Sequence, residues 1–409
     1  MSDRRYDSDR RDRYYDEYDR PSRSQNSRGG SGRSSNGNAR RSSGRSGDEA
    51  RRRAAAQAKR RAKKRRRIIL LVFELVVLLG LVGVVWAVRK GTSIQKVSIN
   101  EENIVINENV ATSEVLKGYK NIALFGVDAR DKSLGKGNRS DTIIIASINE
   151  DTGEVRLCSV FRDTYLNLGN DTYNKCNAAY AKGGPEQAIN MLNMNLDLNI
   201  TDYVTVGFTG LTKIVDALGG VEVDVHDNEI DHLNNYQISM VGKSDDDKVF
   251  YATEGKDYTA VTSAGLQKLN GLQATAYCRI RYVGDDFQRA QRQRYVLNQC
   301  VETAKNSSPK ELAAAYDGVK DYISTSLDYD EIIELMGRIG RYKIVADDGF
   351  PFESNRATGK VGSKGSCVIP VNLEQNVVML QQFLFDDTDY VPSEEVKNYS
   401  SKISADTGY

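Results

Sequence analysis

The chain has 409 residues, enough for two average domains or for one large domain with tails. Its 57 basic and 56 acidic residues nearly cancel, but the basic ones crowd the first 67 positions and the remainder leans acidic, so local charge says more about partners than the total. With two histidines, His226 and His232, and five cysteines that form no C-x-x-C pair, a zinc centre or a Ser-His-Asp triad has almost nothing to be built from.

Residues 1–50 are Arg, Asp, Ser, Gly, Asn and Tyr with almost no aliphatics, and such a segment cannot bury enough apolar surface to offset its conformational entropy. Tyr6, Tyr14, Tyr15 and Tyr18 alternate with arginines, a pattern nucleic-acid binders also use, but a solvated cytoplasmic tail accounts for it and no nucleic-acid partner is expected. Residues 51–67 are densely basic, and residues 68–88 then read IILLVFELVVLLGLVGVVWAV. A spanning helix needs about 20 mainly apolar residues, which this run supplies with Glu74 as its only charge and Trp86 at the far interface. A cleaved signal peptide fits less well, because the apolar core and the tail before it are too long.

The basic block sets the orientation by the positive-inside rule. Residues 1–67 are thus expected as a disordered cytoplasmic tail touching anionic membrane lipid, 68–88 as one transmembrane helix, and everything beyond as extracellular, beginning with a juxtamembrane stalk at 89–117.

From 118 onward, apolar β-branched runs alternate with helical spacing. Residues 121–127, 141–149 and 155–160 predict strands, the last two joined by an Asp151-Thr152-Gly153 turn. A helix at 185–196, a strand at 202–208, a helix at 211–218 ended by Gly219-Gly220 and a strand at 221–225 follow. A short helix over 266–274, a strand through 277–282 and a long helix over 287–305 are expected next. Residues 309–322, 329–338 and 373–385 read as helices, with a Gly-rich segment near 359–365 and a loose tail at 391–409. The fold class is α/β, a mixed sheet flanked by helices in three layers, with the main domain at 118–305 and a helical subregion at 306–390 completing it. The five cysteines, Cys158, Cys176, Cys278, Cys300 and Cys367, cannot all pair within one chain; an exported domain allows a disulfide, but they are read as small buried hydrophobes.

Four segments place arginines and aspartates beside strand ends: Leu124 to Arg130, Arg139 to Thr142, Ser159 to Thr164, and Arg279 to Gln293. Arg279 and Arg281, two apart on the expected strand, would share a face, and Arg289 would share a helical face with Arg292 and Gln293. The start of that helix would favour an anion through its free N–H groups and dipole. Arginine forks suit phosphate oxygens, whereas Asp128 and Asp141 suit a hard cation that bridges carboxylate and pyrophosphate. Isolated surface ion pairs are the plainer account of any one arginine, but clustering at several strand ends favours a site.

These blocks, together with Lys175-Cys176-Asn177-Ala178-Ala179-Tyr180, Asp202-Tyr203-Val204, Val215 to Val221 and Leu269-Asn270-Gly271, resemble the signature of the LytR-CpsA-Psr family of cell-wall glycopolymer ligases over about 118–304. Cys176 stands where that family usually has an aliphatic residue and Phe161 where proline is common. The resemblance implies a sheet and helices enclosing a channel for a polyprenyl tail. It implies transfer of a phosphate-linked glycopolymer from a polyprenyl-pyrophosphate carrier to a peptidoglycan hydroxyl. By motif, Arg162, Arg279, Arg281 and Arg289 would clamp the pyrophosphate with Gln293 beside them, Asp128 and Asp141 would hold Mg²⁺ (or Mn²⁺), and Arg139 would brace the aspartates or a phosphate. Asp141 or Asp128 is the expected general base, since no histidine lies near. A non-catalytic membrane-anchored glycan-binding regulator would need the arginines but not the aspartates, and a pyrophosphatase would use the same site with water as acceptor.

Overall fold

A computed structural model of the chain describes residues 95–96, 99–129, 133–244 and 250–409. The expected cytoplasmic tail and transmembrane helix lie outside the described residues. Among the described residues no helix is long and apolar enough to cross a membrane.

The centre is a seven-stranded sheet in the order β1-β12-β7-β2-β3-β4-β13. Its strands are β1 (Gln95–Lys96), β2 (Tyr119–Val127), β3 (Ser140–Asn149), β4 (Glu154–Val160), β7 (Asp202–Gly207), β12 (Ile323–Thr325) and β13 (Lys343–Phe350). Four small two-stranded sheets surround it: β5 (Tyr165–Asn167) with β6 (Tyr173–Lys175), β8 (Val221–Val225) with β11 (Gly265–Leu269), β9 (Lys243–Ser244) with β10 (Phe250–Tyr251), and β14 (Arg356–Lys360) with β15 (Ser366–Pro370). The sheet is mixed: β2 runs antiparallel to β3 and parallel to β7, and β4 runs antiparallel to β3 and parallel to β13.

The period-two side-chain alternation of the three central strands builds two cores. Ala123, Phe125, Ile143, Ile145, Cys158 and Val160 face one way, under α1 (Asn177–Leu196), α8 (Leu373–Phe385) and α9 (Glu394–Thr407). Ile122, Ile144, Ala146, Val155 and Leu157 face the other, toward Leu297 of α5 (Asp286–Lys305) and Leu335 of α7 (Tyr329–Gly337). A third core joins β8 and β11 to α2 (Phe208–Ala217), α3 (Asp227–Val241) and α4 (Gly271–Tyr277). α6 (Pro309–Val319) leads into the turn before β12.

Several elements differ from the sequence-based reading. Helix α1 starts eight residues before the expected Pro185, at Asn177, and bends at Gly184, whose φ of 71° only glycine adopts cheaply. Pro185 then opens the second segment, where its missing N–H costs nothing. Residues 266–269, expected as helix, are strand β11, and the helix begins only at Gly271 behind a capping box of Asn270 and Gln273. The strand expected at 277–282 does not form: Tyr277 ends α4, and residues 278–285 are turn and loop.

The stalk expected at 89–117 is, where described, part of the domain: β1 pairs with β12, and Val110 and Leu116 enter the main core. The loose tail expected at 391–409 is instead helix α9, whose Val396 and Ile403 are fully buried. Burying two such side chains contributes about 1.5–3 kcal/mol each. A buried carboxylate ties both ends in: Asp197 accepts from Asn107 Nδ2 at 2.6 Å and from the Ser393 amide at 2.8 Å. Residues 306–390, expected as a helical subregion, contribute β12 and β13 to the central sheet as well as helices.

Candidate active site

One edge of the sheet gathers the chemistry. β2, β4 and β7 end there and β3 begins there, so the residues just beyond their ends share a rim, where ligands of open α/β sheets commonly bind. Asp128 follows β2, Arg139 precedes β3, and Arg162 follows β4. Asp141 sits at a β-bulge: Gly126 pairs with Thr142 and Val127 with Ser140, leaving Asp141 as the extra residue. Bulges re-aim side chains, and this one turns a carboxylate out of the strand toward the arginines.

Asp141 is the hub. Its Oδ1 accepts from Arg162 at 2.8 Å, its Oδ2 lies 3.4 Å from Arg281, and its backbone carbonyl accepts from Arg289 at 3.2 Å. Asp286 is the second hub, 3.0 Å from Arg289 through each of its oxygens and 3.6 Å from the Arg162 Nε. Asp163 adds a bond of 3.2 Å to Lys175.

Arg289 is nearly sealed from solvent, with its side chain 4% exposed. Burial pushes its pKa down to about 10, opposed by Asp286 and reinforced by the like charges of Arg162 and Arg281. It therefore stays protonated at neutral pH while holding a charge that an incoming anion would relieve. Burial pulls Arg162 the same way, but Asp141, Asp286 and Asp163 outweigh it and hold its pKa above the ordinary value. The Nε atoms of both arginines are buried and meet no hydrogen-bond acceptor among the described residues.

Behind this rim lies a cavity of about 780 Å³. Its walls are apolar, from Leu124 and Ile144 on the sheet, Leu211 and Ile214 on α2, and Val296 and Leu297 on α5. Arg139, Arg162, Arg279, Arg281, Arg289, Gln293, Asp128 and Asp141 all line it, so the structure brings every sequence-predicted site residue to one place. Five arginines stand against Asp128, Asp141 and the adjoining Asp286, a surplus of two positive charges. A disubstituted pyrophosphate carries two negative ones.

The arrangement within the cavity departs from the expectation in three ways. Arg279 and Arg281 do not share a strand face: the Arg279 guanidinium lies over the Phe208 ring at 4.4 Å and the Tyr236 ring at 5.3 Å, whereas Arg281 reaches out to Asp141. Arg289 and Arg292 part company, because Arg292 turns to a buried pair with Glu229 at 2.8 Å. The start of α5 is not left open for an anion, since Asp285 caps it by accepting from the Gln288 amide and Asp286 occupies its first turn. Gln293 lines the cavity and donates to the Cys278 carbonyl at 3.3 Å.

Asp286 and Arg292 are the residues that sequence reasoning left without a role. Arg292 also donates to the carbonyls of Ile280 at 3.3 Å and Val283 at 2.8 Å, and so holds the loop that carries Arg279 and Arg281. Gly271, at the start of the helix that leads into that loop, is tightly packed: a Cβ there would come within 1.9 Å of the Thr212 carbonyl, so α4 and α2 touch backbone to backbone. We expect Arg292→Ala to destabilise the fold by about 3–5 kcal/mol, because it strands the buried Glu229 carboxylate. Urea denaturation checks this, and a loss below about 1 kcal/mol would contradict it.

The loop after β4 is held from below: the Asn177 amide donates to the Arg162 carbonyl at 3.1 Å, and the Val368 amide to that of Asp163 at 2.9 Å. The two residues that depart from the family pattern meet here, the Cys176 thiol lying 3.1 Å from the Phe161 carbonyl. All five cysteines are buried and unbridged, as their reading as small hydrophobes expects.

Comparison with known proteins gives the following. The model of the LytR_cpsA_psr family matches residues 84–361. A polyisoprenyl-teichoic acid–peptidoglycan teichoic acid transferase TagU of Enterococcus faecalis is 31% identical over 215 residues, 52% of this chain and 62% of that protein, so the chain spans less than two thirds of this curated relative. Among solved structures, protein gbs0355 from Streptococcus agalactiae has a TM-score of 0.54 at 24% identity, covering 69% of this chain and 92% of that one. TagT bound to LI-WTA has a TM-score of 0.52 at 20% identity, covering 76% and 100% respectively. At these identities the two structures bear on the fold alone.

Proposed function

The chain belongs to the LytR-CpsA-Psr family, and from that premise we propose that it is a phosphotransferase that moves a phosphate-linked glycopolymer from a polyprenyl-pyrophosphate carrier onto peptidoglycan. The observation that carries this reading is the junction of an apolar cavity of about 780 Å³ with a rim of five arginines. Few ligands need both a hydrocarbon channel and a pyrophosphate clamp at its mouth, and a polyprenyl-pyrophosphate glycan does. The names of relatives such as the TagU transferase point the same way.

In the reaction, an acceptor hydroxyl oxygen attacks the phosphorus that bears the glycan. The new O–P bond forms as the bond to the bridging oxygen breaks. That oxygen leaves with the polyprenyl phosphate, and the hydroxyl proton passes to a carboxylate. Such transfers depend mainly on positioning and on neutralising charge at the equatorial and leaving oxygens. Arg162 and Arg289 would grip the pyrophosphate through their cavity-lining guanidinium groups, Arg281 and Arg139 would close over it from the exposed side, and Arg279 would stand deeper among the aromatic rings.

Asp128 and Asp141 fit Mg²⁺ as hard oxygen donors lining one cavity. Among the described residues no cluster of three or more metal-binding side chains forms a ready cage. That suits an ion which keeps waters and substrate phosphates among its ligands. Bound there, the cation would supply further charge neutralisation to the pyrophosphate. The apolar run at 68–88 would anchor the chain with the site outside the cytoplasm, where lipid-linked donor and wall acceptor meet.

Native mass spectrometry of the full chain in detergent tests this. Wild-type protein should carry polyprenyl pyrophosphate, and Ile214→Trp, which plugs the cavity from α2, should carry roughly tenfold less. Equal lipid in both, or none in the wild type, would remove the reading.

A further inference from the structure

A second cavity, of about 470 Å³, opens on the other side of the arginine rim. It shares Arg139, Asp141 and Arg162 with the apolar cavity and nothing else. Where the first cavity is walled by aliphatics, this one is walled by Asp163 after β4, by Asn174 and Lys175 of β6, by Asn177 at the start of α1, and by Ser363 and Lys364 at the tip of the β14–β15 hairpin. Its floor is fixed to the reacting centre, because the Asn177 amide donates to the Arg162 carbonyl and Lys175 pairs with Asp163, the next residue.

We propose that this groove is the acceptor subsite and that it takes a glycan strand bearing carboxylates, with Lys175 and Lys364 meeting those carboxylates and the asparagines and Ser363 meeting sugar hydroxyls. The inference rests on the reading of the apolar cavity as the seat of the polyprenyl chain. Displacement at phosphorus is in line, so the entering oxygen and the leaving oxygen lie on opposite sides. If the polyprenyl phosphate leaves toward the apolar cavity, the acceptor oxygen enters from the groove. The O–P bond forms on the groove side while the bond to the bridging oxygen breaks on the cavity side, and the departing polyprenyl phosphate keeps that electron pair. The hydroxyl proton passes to a carboxylate of the rim, as in the reaction above; Asp141 lines both cavities and Asp163 the groove.

The groove is cationic where it leaves the rim. Lys364 is exposed on a 3-10 turn, Gly362–Lys364, and forms no ion pair with a described residue, while Lys175 pairs with Asp163. Exposed lysines are compact, hydrated point charges and suit scattered carboxylates better than a buried, forked phosphate contact. The division of labour between arginines at the rim and lysines in the groove thus matches two anions of different kinds.

The test uses the full chain in detergent, loaded with polyprenyl-pyrophosphate donor, and soluble uncrosslinked peptidoglycan strands as acceptor. Lys175→Gln combined with Lys364→Gln should raise the acceptor KM roughly tenfold, leave kcat within about twofold, and leave donor retention unchanged. Ser363→Trp, at an exposed turn where folding is not at stake, should raise the same KM by obstruction. Amidating the acceptor carboxylates should weaken the wild type but not the double lysine variant. An unchanged acceptor KM overturns the proposal, as does a parallel loss of donor, which would give the groove to the donor's own glycan. Direct calorimetric binding of the strands is measured alongside. If the wild type forms no transfer product, the functional reading fails by itself, and equal strand binding by wild type and double lysine variant separately overturns the acceptor groove.

Discussion

Arg162→Ala should lower kcat/KM for glycopolymer transfer by about 10²–10³ and strip most of the co-purified polyprenyl pyrophosphate. Among the described residues Arg162 and the exposed Arg139 are the arginines that line both cavities, and Arg162 lies near both carboxylate hubs, Asp141 at 2.8 Å and Asp286 at 3.6 Å. Its Nε is buried and makes no hydrogen bond to a described residue, with Asp286 3.6 Å away. Removing a preorganised donor from a partly dry site costs far more than removing a surface ion pair, which contributes about 0–1 kcal/mol. The fold should survive, because Asp141 keeps Arg281 and Asp286 keeps the two contacts to Arg289. Arg162→Lys restores the charge but not the planar fork, and should recover lipid retention better than turnover. Equal turnover in Arg162→Ala and wild type would show that the clamp lies elsewhere on the rim.

The parts of this site that were legible in the sequence are those whose local pattern and tertiary role agree. Strands β2 and β3 carry apolar runs, Ile122 to Val127 and Ile143 to Ala146, and β4 is apolar over most of its second half, so Asp128, Asp141 and Arg162 announce themselves as charges beside strand ends. The stretch 265–284 was not legible in the same way. Leu266, Lys268 and Leu269 suit a short strand or a helix turn equally, and only pairing with β8 decides between them. The Asn270–Gln273 capping box was the local signal that the helix begins at Gly271. With that start, Arg279 and Arg281 fall in a loop, and the loop is what lets one point into the aromatic wall and the other out to Asp141.

Strand β13 escaped notice because Asp347, Asp348 and Gly349 interrupt it. Its place at the sheet edge leaves Asp347 free to pair with Arg294. In the C-terminal helix, Val396, Tyr399, Ser400 and Ile403 repeat at helical spacing behind the Ser393 cap, a signal diluted by the charged residues between them. Asp286 was visible as a residue, but nothing local says that a helix N-terminal carboxylate will bridge two arginines from different segments.

Asp141→Asn should separate binding from chemistry. Asparagine keeps the shape of the bulge residue and an oxygen for one guanidinium, but it removes the negative charge that holds Arg162 and Arg281. Those arginines become available to the pyrophosphate, so the variant should retain at least as much polyprenyl pyrophosphate as the wild type. Transfer should nevertheless fall by about 10²–10⁴, the range over which a positioned general base acts. If Asp141 acted mainly as a metal seat, excess Mg²⁺ would restore turnover by mass action. If it takes the acceptor proton, excess Mg²⁺ leaves turnover low, and that is the expected result, because Asp141 is the carboxylate among the described residues common to the apolar cavity and the polar groove. Asp128→Asn should show the opposite pattern, a moderate loss largely recovered by Mg²⁺. Near-wild-type turnover in Asp141→Asn, with the lipid still bound, would move the proton to another acceptor and leave Asp141 as an organiser of arginines only.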